Sequence, residues 1–349
     1  MADIPATTEP AAEAFGGRRA RGGGQSTVRY LATKLGGGAI SLALVAVLGF
    51  FLFRAMPGNP VRSVIEGRGS ASYEEIKRIK AEWKMDEPLW TQFVDYMGDL
   101  LRGDLGTSIK YRAPVAELIG ERFWWTILLT GTALLLAVAL GLLLGSRAAW
   151  RHGSRFDRWS TGTALVLWSV PTFWLGLIML VVFSVGLDLF PTAGMTTPGG
   201  VSGGWFAELL DVLHHLALPA ITMTAVIYAQ YLMVMRSSLL EEMNADYLTT
   251  ARAKGLRDNL VRRRHAVPNA LLPTITIIFL HMGLVVSGAV TVEKVFSWQG
   301  LGLLTYEAIG VPDYPLLQGT LIVLAAAVIV MNLLADVIYR FVDPRVRSA

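Results

Sequence analysis

The chain contains no cysteine in 349 residues. That absence removes disulfides, thiolate metal sites and cysteine nucleophiles together. Charge is scarce as well: Asp, Glu, Lys and Arg make up 17%, where a soluble domain carries about 25%. No GxxxxGKS/T phosphate loop occurs, and Ala253-Lys254-Gly255 lacks the upstream glycine such a loop needs. The chain is therefore not expected to bind ATP itself. HExxH, a nucleophile elbow and a paired-aspartate motif are also missing, so intrinsic catalysis has no constellation to carry it. The basic residues form no continuous face, which argues against nucleic acid as a partner.

What is abundant is apolar. Hydrophobic residues reach 53% and the mean hydropathy is +0.48, the balance of an all-α protein that crosses a membrane many times. A span needs about 20 apolar residues, and runs of that kind lie near 35–53, 124–146, 162–187, 212–235, 270–292 and 316–339. Pro171 and Pro219 fall inside two of them, tolerated where neighbouring helices satisfy the exposed carbonyls.

The connecting segments alternate in charge. Arg18, Arg19, Arg21, Arg29 and Lys34 precede or begin the first run, and 147–161 carries Arg147, Arg151, Arg155 and Arg158 against Asp157 alone. Segment 188–211 has no Lys or Arg, whereas 236–269 has Arg236, Arg252, Lys254, Arg257, Arg262, Arg263 and Arg264. Segment 293–315 has only Lys294, and Arg340, Arg345 and Arg347 close the chain. Positive residues stay on the cytoplasmic side, so both termini, 147–161 and 236–269 are expected in the cytoplasm. Residues 1–30 read as a disordered cytoplasmic tail, not a cleaved signal, because no small-residue cleavage site closes the apolar run behind them. Segment 54–122 carries eleven basic and eleven acidic residues, and long segments cross whatever their charge. It is expected outside, as a folded insertion with helices over Tyr73–Lys84 (stripe Ile76, Ile79, Trp83) and Leu89–Leu101 (stripe Phe93, Met97, Leu100), the second ended by Gly103-Asp104.

Residues 244–256 stand out within the basic 236–269 segment. Asn244 can cap a short helix, Asp246 falls in its first turn, and Arg252 and Lys254 fall in its last. Gly255 follows where a left-handed residue belongs. Met243, Tyr247, Leu248 and Ala251 share one side. So short a helix is marginal alone in water, and it is expected to dock on something.

Asp246-Tyr247, Ala251, Ala253, Gly255, Arg264-His265, Asn269-Ala270 and Leu272-Pro273, in that order, resemble the EAA loop of binding-protein-dependent ABC importer permeases, in its dipeptide and oligopeptide form. The likeness extends to Met56-Pro57-Gly58-Asn59-Pro60, to Gly103-Asp104-Leu105-Gly106-Thr107-Ser108 and to Ser169-Val170-Pro171-Thr172-Phe173-Trp174-Leu175-Gly176. It continues through Val295-Phe296-Ser297-Trp298-Gln299-Gly300-Leu301-Gly302, Asp313-Tyr314-Pro315 and Asp343-Pro344-Arg345. Trp124-Trp125 stands where a Pro-plus-small pair is expected before Thr126, and the tail has no counterpart in the compact pattern.

The resemblance implies a six-helix type I ABC importer permease over 31–349, with the 54–122 extracytoplasmic insertion between helices 1 and 2, in a bacterial inner membrane. It implies a homologous second permease, two cytoplasmic ABC ATPases that hold the ATP and Mg, and an extracytoplasmic solute-binding protein that delivers a peptide. It makes Asn244, Asp246, Tyr247, Ala251, Arg252, Ala253, Lys254, Gly255 and Leu256 an ATPase-coupling helix. Nickel chelates, glutathione and sugars remain alternative cargo. An ion-driven transporter would be expected to carry charges inside its spans and inverted repeats, and neither is evident; a non-transport scaffold is the other rival.

Polar residues within spans complete the reading. Pro171, Tyr228 and His281 are candidates for the solute path. His281 is either a cavity residue or a neutral histidine bonded to a neighbouring helix, and Tyr228, Gln230 and Asn332 fit interhelical bonding. His214-His215 fits interfacial anchoring better than metal, since adjacent residues face different sides of a helix. Asp336 and Arg340 fit an i,i+4 pair, Ser238 and Glu241 a capping box, and Glu241-Glu242 a solvated face. Arg262-Arg263-Arg264 fits topology control, a docked partner or lipid head groups.

Overall fold

The computed structural model describes residues 27–55, 74, 77, 87–287, 290–311 and 313–342. The 1–30 tail up to residue 26, Met56-Pro57-Gly58-Asn59-Pro60, most of Tyr73–Lys84 and Asp343-Pro344-Arg345 lie outside them. Among the described residues the chain is helical, and the only strand-like feature is an isolated bridge between Thr107 and Pro114.

Helix α1 (Thr27–Ala55) is followed by α2 (Leu89–Leu101), α3 (Val115–Trp150), α4 (Arg155–Ser169) and α5 (Thr172–Met179), which continues as a π-helical segment Leu180–Gly186. Then come α6 (Trp205–Glu242), α7 (Asp246–Ala253) and α8 (Asp258–Val261) with a π-helical extension Arg262–Ala266. The chain ends in α9 (Val267–Ser287), α10 (Val290–Val295), α11 (Leu301–Gly310) and α12 (Tyr314–Val342). Helices α1, α3, α6 and α12 are each long and apolar enough to cross a membrane. At about 1.5 Å per residue, α3 and α6 exceed a hydrocarbon core of about 30 Å, so their ends project beyond it.

The expected unbroken third span is corrected. Residues 155–186 fold as two helices bent by 103°. Pro171 lacks an N–H and crowds the residue before it, so Val170 adopts an extended φ −84°, ψ 129° and α5 restarts at Thr172. Pro219 and Pro273, by contrast, are accommodated inside α6 and α9.

Helices α3 and α6 form the central pair, and glycine sets their spacing. A Cβ on Gly141 would fall 2.4 Å from Tyr231 Cβ, and one on Gly145 2.6 Å from the Leu232 carbonyl. Small residues let membrane helices approach this closely. Helix α4 is tied to α6 by a bidentate pair, Arg236 Nε and Nη2 donating to Asp157 at 2.7 and 2.9 Å. Helix α1 lies along α12 and is joined to it by Lys34–Asp336 at 2.7 Å. Asp336 thus has a partner on another helix, while the Arg340 side chain lies outside the described residues.

Two welds organise the end opposite the basic 236–269 segment. The fully buried Asp313 accepts from Ser108 Oγ at 2.6 Å, Lys110 N at 3.0 Å and Leu316 N at 3.2 Å. It caps α12 and anchors the Gly103–Ser108 turn at once. The equally buried Glu293 accepts from Thr126 Oγ1 at 2.9 Å and Leu303 N at 2.8 Å. Trp298 Nε1 donates to the Trp125 carbonyl at 2.9 Å. A Cβ at Gly300 would fall 2.4 Å from Thr126 Oγ1, so only glycine lets this turn close. Nearby, burial raises the Glu307 carboxyl, but the Tyr111 hydroxyl and the Lys110 ammonium, 3.3 Å away, outweigh it and hold the group below the usual range.

Within 54–122, helix α2 stands as expected and packs by Phe93 against Phe50 and Phe51 of α1, ring centres 5.3 and 5.6 Å apart. It ends on Gly103 at φ 79°. Of the first expected helix only Glu74 and Lys77 are described, both helical.

Candidate functional site

The short helix α7 is built by what surrounds it. Helix α6 does not stop cleanly at Glu242: Met243, Asn244 and Ala245 donate to the carbonyls of Leu239, Glu241 and Glu242 at 3.0, 3.3 and 3.0 Å. That turn moves the start of α7 by one residue. Ala245 is the N-cap residue and no side chain caps it, so the expected Asn244 cap is corrected. Ser238 and Glu241 lie inside α6, which removes their capping box. Asp246 and Arg252 occupy the first and last turns of α7, where the helix dipole favours their charges.

The C-terminus closes as a Schellman motif. Lys254 is the C-cap residue, Gly255 takes φ 80°, its N–H reaches the Arg252 carbonyl at 2.9 Å, and the Leu256 N–H reaches Ala251 at 3.4 Å. Leu256 packs against the buried cluster that contains Leu248 and Ala251, in keeping with the apolar contact that accompanies this motif.

The apolar side of α7 rests on the chain's own helices. Leu248 is fully buried and Ala251 nearly so, packed with Ala149 of α3, Met235 and Leu239 of α6, Val261 of α8 and Ala270 of α9. Burying a leucine contributes about 1.5–3 kcal/mol, which offsets the marginal stability of eight helical residues. Tyr247 and Met243 are not part of that buried stripe. Tyr247 is exposed, and its hydroxyl bonds the Glu242 carboxylate while accepting from Asn269 Nδ2 at 3.0 Å. Glu242 is accordingly held, not merely solvated. The opposite face presents Asp246, Thr249, Thr250, Ala253, Lys254 and Gly255 outward, and nothing lies within 4 Å of a Cβ placed on Gly255.

A second clamp fixes the helix end. Trp150 Nε1 donates to Asp258 Oδ2 at 2.9 Å, Arg252 Nε donates to Asp258 Oδ1 at 3.3 Å, and the Arg252 guanidinium lies 5.8 Å from the Trp150 ring centre. Sequence reading missed this clamp. Its signal was present: Asp258 is the sole carboxylate between Asp246 and Glu293. Positive charge gathers beside it, where burial and then Arg263, Arg147 and Arg151 lower the Arg262 guanidinium.

The candidate path residues are distributed differently. Pro171 is exposed at the α4–α5 bend. Tyr228 is buried in the α3–α4–α6 interface with Ala137, Ala164 and Tyr231. His281 of α9 is half-buried, with Nδ1 2.7 Å from the Tyr231 hydroxyl. Tyr231 therefore links the Tyr228 helix face to His281. At the far end of α6, His214 Nε2 contacts the Leu189 carbonyl and His215 Nδ1 the Asp211 carbonyl, both at 2.8 Å. Among the described residues no group of three or more His, Asp or Glu is placed to hold a metal.

The sequence is similar to those of known proteins. The family model described as binding-protein-dependent transport system inner membrane component matches residues 137–348, and the model of its N-terminal part matches 27–130. The dipeptide transport system permease protein DppB of Escherichia coli K12 is 36% identical over 319 residues, covering 87% of this chain and 94% of that one. The oligopeptide transport system permease protein AppB of Bacillus subtilis is 35% identical over 303 residues, covering 86% and 94%. The glutathione transport system permease protein GsiC of Salmonella typhimurium is 34% identical over 321 residues, covering 92% and 99%. Inward-facing structures of the MetNI methionine ABC transporter match at 17% identity with a TM-score of 0.49, over 65% of this chain and 97% of that one. That score is too low to assign a shared fold.

Proposed function

The chain belongs to the family of binding-protein-dependent transport system inner membrane components, and from that membership we propose that it is the permease subunit of an ATP-driven importer of peptides. It works beside a homologous second permease, two cytoplasmic ATPases that bind ATP and Mg, and an extracytoplasmic binding protein that delivers the peptide. In this reading the chain crosses six times, with both termini and α7 in the cytoplasm and residues 54–122 outside, as the charges of the connecting segments favour. The relatives named for dipeptides and oligopeptides support the cargo.

One observation carries the reading. Helix α7 shows a polar, glycine-terminated face outward while its apolar face is seated on α3, α6 and α9. A cytoplasmic ATPase that grips the outer face can displace three long helices together. ATP binding shifts the inward–outward equilibrium only as far as the ATPases hold α7 differently in the two states. The solute path is proposed along the inner faces of the third to fifth spans, near Pro171, Tyr228 and His281.

The test is assembly and transport. Tagged permease carrying Asp246→Arg or Gly255→Asp should insert normally but bring down less ATPase, or hydrolyse ATP without peptide uptake in proteoliposomes. Wild-type assembly and uptake in both variants would remove α7 from the coupling role.

A further inference from the structure

Tyr247 is one of the two residues of the apolar stripe that did not bury, and its hydroxyl shows why. It lies among three groups from three segments: the Glu242 carboxylate at the last residue of α6, the Asn269 amide in the first turn of α9, and the His265 carbonyl between α8 and α9. Asn269 Nδ2 donates to the oxygen at 3.0 Å. The phenol has a single proton to give, and it faces two acceptors, Glu242 in close contact and the His265 carbonyl at 3.4 Å. Burial raises the phenol above its usual range, and the Glu242 carboxylate adds to that against the opposing effect of Asn269. The group therefore stays a donor at neutral pH.

This geometry gives α7 a side-chain tether separate from its apolar seat. Leu248 and Ala251 seat the helix through burial, which transmits a push but, being non-directional, does less to fix the register along the seat. A hydroxyl bonded at once to a carboxylate and an amide does not tolerate sliding, because hydrogen bonds weaken steeply with misalignment. We infer that the Tyr247 hydroxyl is the positioning group that passes movement of α7 to the end of α6 and the start of α9, with Glu242 and the His265 carbonyl as its alternative acceptors. This rests on the coupling role proposed above. The ring sits on the short helix, and its tip is held by the helices that would line the path.

The absence of cysteine makes spin labels simple to place. In the assembled importer in nanodiscs, Thr249→Cys with Arg155→Cys reports the position of α7. Arg264→Cys with Arg155→Cys reports the approach to α9. In otherwise wild-type complex, ATP should change both distances. With Tyr247→Phe, ATP should still change the α7 distance, while the α9 distance stays fixed and peptide taken up per ATP hydrolysed falls about tenfold. Asn269→Leu should reproduce that split, and the double variant should be no worse than either single one. If Tyr247→Phe keeps both distance changes and wild-type uptake per ATP, the hydroxyl is not a relay. If it abolishes both changes, the hydroxyl serves docking itself and the relay is again wrong. Failure of the coupling role is seen separately, as unaltered assembly and uptake in the Asp246 and Gly255 variants.

Discussion

Gly255 offers the cleanest perturbation because its surroundings within the chain are empty. Its φ of 80° costs an L-residue roughly 1–2 kcal/mol, and no atom lies within 4 Å of an added Cβ. Gly255→Ala thus brings strain without a clash. If that strain is released by fraying the last turn of α7 and must be restored on docking, ATPase affinity falls about 5–30-fold, taking about 1.4 kcal/mol per factor of ten. Gly255→Asn should lose less, since asparagine visits the left-handed region more readily. Gly255→Asp shares part of that tolerance but sets a negative charge against the helix C-terminus, worth about 0.3–1 kcal/mol. A smaller loss for Asn than for either Ala or Asp, at comparable permease levels, is the signature of a conformational effect, and titration of purified ATPase onto permease in nanodiscs reads it. A loss far beyond about 30-fold for Ala would mean that a partner surface packs directly on the glycine. Equal affinity across the series would refute the reasoning, since it would show that the turn is not held in the docked state.

Reporter fusions after Arg155 and Arg257 should report cytoplasm and fusions near Ser72 and Gly200 the outside; an external signal at 257 would put α7 beyond the reach of the ATPases. Arg236→Met should destabilise, by less than the roughly 3–5 kcal/mol of a wholly unpaired buried charge, because Asp157 loses its bidentate cation but keeps the Gly153 N–H at 2.9 Å and His152 at 3.3 Å, and Asp157→Asn in the same chain should restore part of it in thermal unfolding. His281→Leu should lower uptake more than protein level if His281 meets the solute; unchanged uptake and unchanged peptide-stimulated ATPase would make it a packing partner of Tyr231. Glu307 is held below its ordinary value, so its contribution is present above about pH 4.5 and is lost as pH falls through its lowered folded value. Amide protection near Tyr111, corrected for the slower intrinsic exchange in acid, should therefore fall as pH falls, and Glu307→Gln should flatten that response.

Long apolar runs and loop charges are legible in the sequence because they depend on composition over many residues. Helices α1, α3, α6 and α12 lie where the runs are. The short helix α7 and its terminal glycine were legible too, through local chemistry: a charge at each end and a residue that must adopt a positive φ. The bend at Pro171 was not, because a proline in a span is compatible with both a kink and a break, and only the packing of α4 and α5 decides. The Asn244 cap failed for a similar reason, since the turn out of α6 used its own backbone bonds first. Pairings between distant residues were invisible. Nothing in the local pattern says that Ser108 meets Asp313 or that Arg236 meets Asp157.

The motifs that looked separate in sequence converge at two ends of one rigid pair. At one end, Asp313 joins Gly103–Ser108 to Asp313-Tyr314-Pro315, and Glu293 with Thr126 joins the head of α3 to the Ser297–Gly302 turn. At the other end, α7 sits on Ala149, Met235 and Leu239, the ends of the same α3 and α6. Between the ends Gly141 and Gly145 bring α3 and α6 to backbone contact with Tyr231 and Leu232, where close-packed interiors transmit displacement with little give. If α7 has the proposed coupling role, a push on it should be felt at the far turns through α3 and α6 moving as one body. It should reach the start of α9 also through the hydrogen bonds of Tyr247. The two routes have different stiffness. Widening the first, as Gly145→Val would by forcing the pair apart at about 1–3 kcal/mol, should blunt the response at the far end to ATP while the α9 response survives.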